Sequence, residues 1–216
     1  RDRSVSRGLG DVYKRQVDSE RVYLERTLRF LKQAHLPFQM EDVLALAGGS
    51  AQHAEHFARK IIGPDADMGA FFARMNACCP SIDYQQIMFP HEREVLQALA
   101  MTHPLAVASS SRMEKIVEVL RACQLQELFD FCLSGEMFSA SKPAPDIYLA
   151  AAARLDLPPQ ECVVIEDSTY GIQAAKRAGM RVIARKDDRF GFDQSLADAF
   201  FHDYLELPAL IHRMVP

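Results

Sequence analysis

The stretch from Cys162 to Gly179, CVVIEDSTYGIQAAKRAG, constrains the fold more than any other part of the chain. It opens with an apolar run that is typical of a strand buried on both faces. Glu166 and Asp167 follow, and Ser168 is a natural N-cap for the helical pattern after it. Taken alone, the two acids could equally form a solvated turn. In an open α/β sheet, however, the end of such a strand is where ligands bind.

The remainder of the chain shows two patterns that indicate two domains. Residues 21–88 read as helices only, whereas short apolar strands alternate with helices from residue 89 onwards. Alternation of this kind predicts an α/β fold, a doubly wound, Rossmann-like parallel sheet, with the helical block inserted as a small cap domain. The predicted domains are an α/β core of residues 17–20 and 89–216, and a cap of residues 21–88.

Composition narrows the class of protein. Hydrophobic residues make up 49% of the 216-residue chain and charged residues 25%, as is ordinary for a soluble globular protein. The net charge of −4 argues against nucleic-acid binding, and no apolar run approaches the length of a membrane span. Five cysteines without a CxxC pair favour reduced thiols. We therefore expect a cytoplasmic monomer that binds neither nucleic acid nor membranes.

Three polar clusters each follow a predicted strand: Ser109 to Ser111, Lys142, and the acidic pair Glu166 and Asp167. Strand ends of a doubly wound sheet share one edge, so we expect the clusters to converge. A hydroxyl, helix-start amides, a cation and two carboxylates together suit a phosphate with a magnesium ion. Each cluster alone has a simpler interpretation, because serines often cap turns and a loop lysine is usually solvated.

Four stretches of the chain match a known family. They are VDSE at 17–20, AVASSS at 106–111, SKPAPDIYLAAA at 141–152 and VVIEDSTYGIQAAKRAGM at 163–180. With these, the chain resembles the haloacid dehalogenase-like hydrolases, specifically the branch of sugar-phosphate phosphatases and beta-phosphoglucomutases with a small helical cap. The order in which the third and fourth stretches occur makes the resemblance specific.

The resemblance implies a nucleophilic aspartate that forms an aspartyl-phosphate, which water then cleaves. It implies that Ser109, with Ser110 next to it, contacts the phosphoryl oxygens, and that Lys142 bridges phosphate and nucleophile. Glu166 and Asp167 would hold Mg²⁺, and the substrate would be a small phosphorylated metabolite.

The resemblance also gives a role to the cap, which would close over the sugar and exclude water. Gly49 and Ser50 are expected to meet the substrate there. For the basic residues Arg59 and Arg74, a solvated helix face is favoured over substrate contact. His53 and His56 are three residues apart on a predicted helix, but solvent-facing histidines are favoured over a metal site because no further ligand is near in sequence.

The first motif of the family, a buried strand ending in Asp-x-Asp-Gly, is disrupted in this chain. The sequence reads LGDVYKRQVDSE, which puts Asp11 in the slot of the nucleophile, where it would also be a metal ligand. Tyr13 stands in the acid/base slot, and the preceding SVSRGLG lacks an apolar strand. Residues 1–16 are therefore interpreted as foreign, a translated adapter or vector sequence joined to a truncated gene.

Three functions remain open at this point. The first is a magnesium-dependent phosphatase of sugar phosphates that is impaired in this chain. The second is a phosphosugar mutase, which must retain the phosphoryl group and return it. The third is a catalytically dead domain that binds a phosphometabolite or a protein; Tyr13 favours it, whereas intact Ser109, Lys142, Glu166 and Asp167 argue against it.

Overall fold

The computed structural model describes residues 9–10, 18–47, 51–78 and 81–214. Contacts between Cα atoms divide the chain into two compact units, one of Asp18–Asp83 and one of Arg1–Val17 with Tyr84–Pro216. The sequence predicted the helical domain at residues 21–88. Its predicted start lies three residues, and its predicted end five residues, further along the chain than in the structure.

The unit Asp18–Asp83 is helical. Its helices are α1 (Ser19–Gln33), α2 (Met40–Leu44), α3 (Ala51–Ile62) and α4 (Met68–Ala77). Helix α1 buries an apolar stripe that includes Leu24 and Phe30, and the Phe30 ring meets Phe71 of α4 edge to face with 5.2 Å between centroids. Helix α4 begins after Asp67, because the Asp67 carboxylate accepts a hydrogen bond from the backbone N–H of Ala70 and caps the helix there.

The other unit contains alternating strands and helices. In chain order, these are β1 (Leu9–Gly10), α5 (Glu92–Ala100), β2 (Ala106–Ser109), α6 (Met113–Ala122), β3 (Phe131–Ser134), α7 (Asp146–Leu155), β4 (Val163–Glu166), α8 (Thr169–Arg177), β5 (Arg181–Arg185), β6 (Ala199–Phe201) and α9 (Leu207–Met214). Every strand pairing in the described residues is parallel, which confirms the predicted α/β class.

The strands form one sheet in the order β1-β4-β5-β6 and a separate ladder of β2 with β3, and β1 contacts β2. All four residues of β4 are buried, as the apolar run predicted. Helices α7 and α8 pack against the sheet through a core that includes Tyr148, Ala151 and Ile172. Because the strands are parallel, the ends of β2 and β4 put their following residues at a common edge.

SVSRGLG lacks the apolar run of a buried strand, but its last two residues form a strand. Leu9–Gly10 forms a short parallel strand whose Cα partners are Val163 and Val164 of β4. A parallel ladder is made by backbone N–H and C=O groups, so it can form without the run of apolar side chains that the sequence pattern requires.

In the part of the chain that the structure describes, no helix combines the length and the apolar character needed to cross a membrane.

Candidate active site

Lys142 lies in the loop before α7 and reaches the ends of two strands. Its Nζ donates to the carbonyl oxygen of Ala108 in β2 at 3.1 Å and to Glu166 Oε1 at the end of β4 at 3.1 Å. The lysine side chain is 9% exposed and that of Glu166 is 3% exposed. A buried ammonium is stable only when it is paired and hydrogen-bonded. The interpretation of Lys142 as a solvated loop lysine is therefore wrong.

Tyr148, which the sequence analysis did not single out, completes this cluster. Its hydroxyl accepts a hydrogen bond from Lys142 Nζ at 2.8 Å and donates to Glu166 Oε1 at 3.1 Å. The side chain is fully buried on α7. A signal for it was available, because a tyrosine on the apolar face of a helix needs a polar partner for its hydroxyl.

The second oxygen of Glu166 holds the turn that follows β4. Glu166 Oε2 accepts from the backbone N–H groups of Asp167 and Ser168 at 2.8 and 2.9 Å and from Ser168 Oγ at 3.0 Å. Ser168 Oγ in turn accepts from the Gly171 N–H at 3.2 Å, so Ser168 is the N-cap of α8 that the sequence predicted. Both oxygens of Glu166 are thus engaged by the protein.

The backbone of Asp167 is held by Gln194, which the sequence did not reveal. The Asp167 residue is 5% exposed and Gln194 is 4% exposed. Gln194 Nε2 donates to the carbonyl oxygens of Asp167 and Arg185, each at 2.8 Å. The position of the Asp167 backbone therefore depends on a residue that comes 27 positions later in the chain.

The serine cluster lies at the end of β2. Ser109 is 1% exposed, and its Oγ accepts a hydrogen bond from the N–H of Ser111 at 3.1 Å. Ser110 is half-buried, and its backbone lies close to Gly135. A Cβ added to Gly135 would be 3.0 Å from Ser110 Cα. Ser109 directly follows Ala108, whose carbonyl accepts from Lys142, so the three predicted clusters do meet at one edge.

A family model described as haloacid dehalogenase-like hydrolase matches residues 16–185. The chain belongs to the haloacid dehalogenase-like hydrolases.

Several curated members of the haloacid dehalogenase-like hydrolases are similar to this chain. Hexitol phosphatase B of Escherichia coli K12 is 38% identical over 130 residues, which are 56% of either chain. Protein CbbY of Cereibacter sphaeroides is 38% identical over 104 residues, 44% of this chain and 45% of CbbY. Fructose-1-phosphate phosphatase YqaB of E. coli is 34% identical over 90 residues, 42% of this chain and 48% of YqaB. The chain spans about half the length of these relatives.

Solved structures share the fold over nearly the whole chain. A putative beta-phosphoglucomutase from Thermotoga maritima superposes with a TM-score of 0.70 at 22% identity, over 97% of this chain and 99% of that one. A mutant of CbbY from Rhodobacter sphaeroides in complex with xylulose-(1,5)bisphosphate has a TM-score of 0.76 at 24% identity. The match covers 94% of this chain and 96% of that one. At these identities the likeness establishes the haloacid dehalogenase-like fold.

The acidic pair supplies the type of ligand that a magnesium ion prefers. Because both oxygens of Glu166 accept hydrogen bonds from the protein, Glu166 would act on the ion through ligating waters. Glu166 and Asp167 are adjacent buried carboxylates at a strand end, and Mg²⁺ is commonly bound through one or two carboxylates with waters and phosphate. Within residues 18–47, 51–78 and 81–214, no three His, Cys, Asp or Glu side chains cluster as a metal site. His53 and His56 are exposed, as the sequence favoured.

Four of the expected site residues lie outside the described part of the chain: Asp11, Tyr13, Gly49 and Ser50. Of the basic residues in the helical unit, Arg59 and Arg74 are both exposed. Arg59 donates to the Glu55 carboxylate at 2.7 Å and to the carbonyl of Pro64, contacts that belong to its own helix and the turn after it.

A charged cluster lies between β5 and Gln194. The Asp187 carboxylate is 2% exposed and accepts from Arg185 and Arg189 at 2.6 Å each. Burial alone acts to raise the pKa of Asp187, but hydrogen bonds from Arg189 and the charges of both arginines hold that pKa below its usual value.

The described cysteines Cys78, Cys123, Cys132 and Cys162 form no disulfide with one another. Burial raises the pKa of Cys132 and of Cys162 to about 11, which keeps both protonated and unreactive at neutral pH.

Proposed function

We propose that the chain derives from a magnesium-dependent phosphatase of small phosphorylated metabolites, with sugar phosphates as the substrate class. The observation that carries the proposal is the buried Lys142, which joins the end of β2 to the carboxylate at the end of β4. A buried cation can pair with the oxygens of a phosphate, and two buried carboxylates beside it can pair with a metal ion. The charges of the occupied site would therefore be balanced. Phosphatase relatives such as hexitol phosphatase B support the same reaction class.

In this proposal each described residue has a defined task. Ser109, with Ser110, would contact the phosphoryl oxygens, and Lys142 would neutralise the charge on the transferring group. Glu166 and Asp167 would hold Mg²⁺, which would supply further positive charge to those oxygens when bound. Because Glu166 already accepts hydrogen bonds on both oxygens, it would also keep Asp167 and Lys142 at their places on the sheet edge.

The remaining roles fall on residues outside the described part of the chain. Asp11 would occupy the slot of the nucleophile that forms the aspartyl-phosphate, and would share the metal. Tyr13 would stand where the family has a carboxylate as acid/base; its usual pKa of about 10 makes it a poor base at neutral pH. The helical unit would act as the cap, with Gly49 and Ser50 towards the substrate. We propose that the chain as it stands turns over little or no substrate, because its first motif departs from that of the family.

The test compares the 216-residue chain with a repaired chain that has an apolar strand and Asp-x-Asp-Gly ahead of Val17. Hydrolysis of p-nitrophenyl phosphate and of a panel of sugar phosphates is measured with Mg²⁺ and with EDTA. We expect the repaired chain to be active only with Mg²⁺, its Lys142→Met variant to be inactive, and the original chain to be silent. Family-like turnover by the original chain would contradict the proposed impairment.

Two alternatives stay open and the same proteins separate them. A phosphosugar mutase, suggested by the likeness in fold to a putative beta-phosphoglucomutase, would convert beta-glucose 1-phosphate to its 6-phosphate isomer without releasing phosphate. If the repaired chain also shows no activity, a catalytically dead domain that binds a phosphometabolite or a protein would be favoured. A cytoplasmic location and a monomeric state stay predictions.

A further inference from the structure

The hydroxyl of Tyr148 lies between the two opposite charges of the candidate site. It accepts from Lys142 Nζ at 2.8 Å and donates to Glu166 Oε1 at 3.1 Å, and its ring lies 4.6 Å from the same ammonium. The Ala108 carbonyl is a further acceptor for Lys142. Tyr148 is therefore one of three described acceptors around this ammonium, together with Glu166 and Ala108.

We propose that Tyr148 is a positioning residue for Lys142, which rests on the proposed role of Lys142 as the cation that contacts phosphate. A lysine has a flexible stem and freely rotating donors, so its direction is set by the acceptors around it. Glu166 and Ala108 belong to strands, whereas Tyr148 is on the first turn of α7, so the three acceptors approach from separate elements. The tyrosine side chain is fully buried, and its oxygen is therefore fixed by packing.

The simpler interpretation treats Tyr148 as a core aromatic that only fills space. Replacement by phenylalanine distinguishes the two, because it keeps the ring and removes one oxygen atom. If the hydroxyl positions the ammonium, Tyr148→Phe leaves Lys142 with a missing acceptor and greater rotational freedom. If the ring alone matters, the ammonium is unaffected.

A matched control exists elsewhere in the same unit. Tyr84 is 4% exposed, its hydroxyl accepts from Lys115 Nζ at 2.7 Å, and its ring lies 5.2 Å from that ammonium. Tyr84→Phe therefore removes the same kind of tyrosine–lysine hydrogen bond without touching Lys142. The Lys115 side chain is 35% exposed, so its own ammonium exchanges protons with water more freely.

The first experiment observes the lysine ammonium directly by NMR in ¹⁵N-lysine-labelled protein. We expect one slowly exchanging ammonium signal, assigned to Lys142 by its loss in Lys142→Met, because buried hydrogen-bonded protons are protected. The signal should be lost or shifted in Tyr148→Phe and retained in Tyr84→Phe. A Lys142 signal unchanged in folded Tyr148→Phe would overturn the proposal.

The second experiment measures the affinity for inorganic phosphate in the presence of Mg²⁺ by calorimetry. Loss of a hydrogen bond to a charged group should weaken binding about tenfold in Tyr148→Phe and leave it unchanged in Tyr84→Phe. In the Lys142→Met background, Tyr148→Phe should have no further effect. Equal losses from Tyr148→Phe in both backgrounds would overturn the proposal. A parent chain that binds no phosphate would count against the proposed function, whereas the ammonium signal decides the role of Tyr148 by itself.

Discussion

Glu166 shows at the scale of one residue how a functional carboxylate is kept in place. One oxygen faces Lys142 and Tyr148, and the other accepts from the turn after β4. A carboxylate with partners on both oxygens fits only if its neighbours leave room for it. Gly171 leaves that room, since a Cβ added there would lie 1.7 Å from Glu166 Oε1. The close approach of the Glu166 side chain therefore requires a glycine at this position.

Replacing Gly171 with alanine should displace Glu166, because the added methyl group cannot share its space. We expect the free energy of unfolding, measured with urea, to fall by about 1–3 kcal/mol, as for other overpacked sites. Gly69→Ala is the control, since Gly69 is an exposed helical glycine whose added Cβ would come no closer than 3.2 Å to a side-chain oxygen. Equal stability of the two variants would show that Glu166 can move at little cost.

At the scale of elements, the segment after β5 is hydrogen-bonded to the candidate site. It runs from Asp187, anchored by Arg185 and Arg189, to Gln194, which bonds the Asp167 carbonyl. Between them, the Asp193 N–H donates to Thr169 Oγ1 at 2.8 Å at the start of α8. The segment therefore connects the end of β5 to the turn that carries Asp167.

Asp187→Asn should reveal the contribution of this segment to stability. The native pKa of Asp187 is below its usual value, so the ionised carboxylate stabilises the fold. This stabilisation is fully present above the ordinary carboxyl pKa of about 4. It is lost as the pH falls through the native pKa. At pH 7 we expect the variant to be less stable by about 1–3 kcal/mol. The difference in unfolding free energy should shrink below about pH 4; a difference constant from pH 7 to pH 3 would contradict this assignment.

At the scale of the whole molecule, the chain comprises a helical unit and an α/β unit, and the candidate site residues that the structure describes belong to the α/β unit. They come from the ends of β2 and β4 and from the loops before α7 and after β5. A ligand bound by these segments contacts distant parts of one folded unit, and so it should stabilise that unit as a whole.

Mg²⁺ with inorganic phosphate should raise the melting temperature of the chain even if turnover is absent. At about 100 times the dissociation constant, linkage predicts about 2.7 kcal/mol, or roughly 5–10 °C for a chain of this size. Asp167→Asn should lose the magnesium-dependent part of the shift, because its amide is a weaker ligand for a hard cation. A full shift in that variant would exclude Asp167 from the metal site.

The sequence alone determined the α/β class, the N-cap Ser168 and the three polar clusters, because periodicity, capping and motif order are local properties of the chain. It also identified the family through SKPAPD followed by EDSTYGIQAAKRAGM. It gave no sign of the strand at Leu9–Gly10, since that pairing depends on backbone groups of β4. It could not bring Tyr148 and Gln194 to the acidic pair either. Tyr148 comes 18 positions before Glu166, and Gln194 comes 27 positions after Asp167. Only the packing of α7 and the return of the chain after β5 bring these atoms within hydrogen-bond distance.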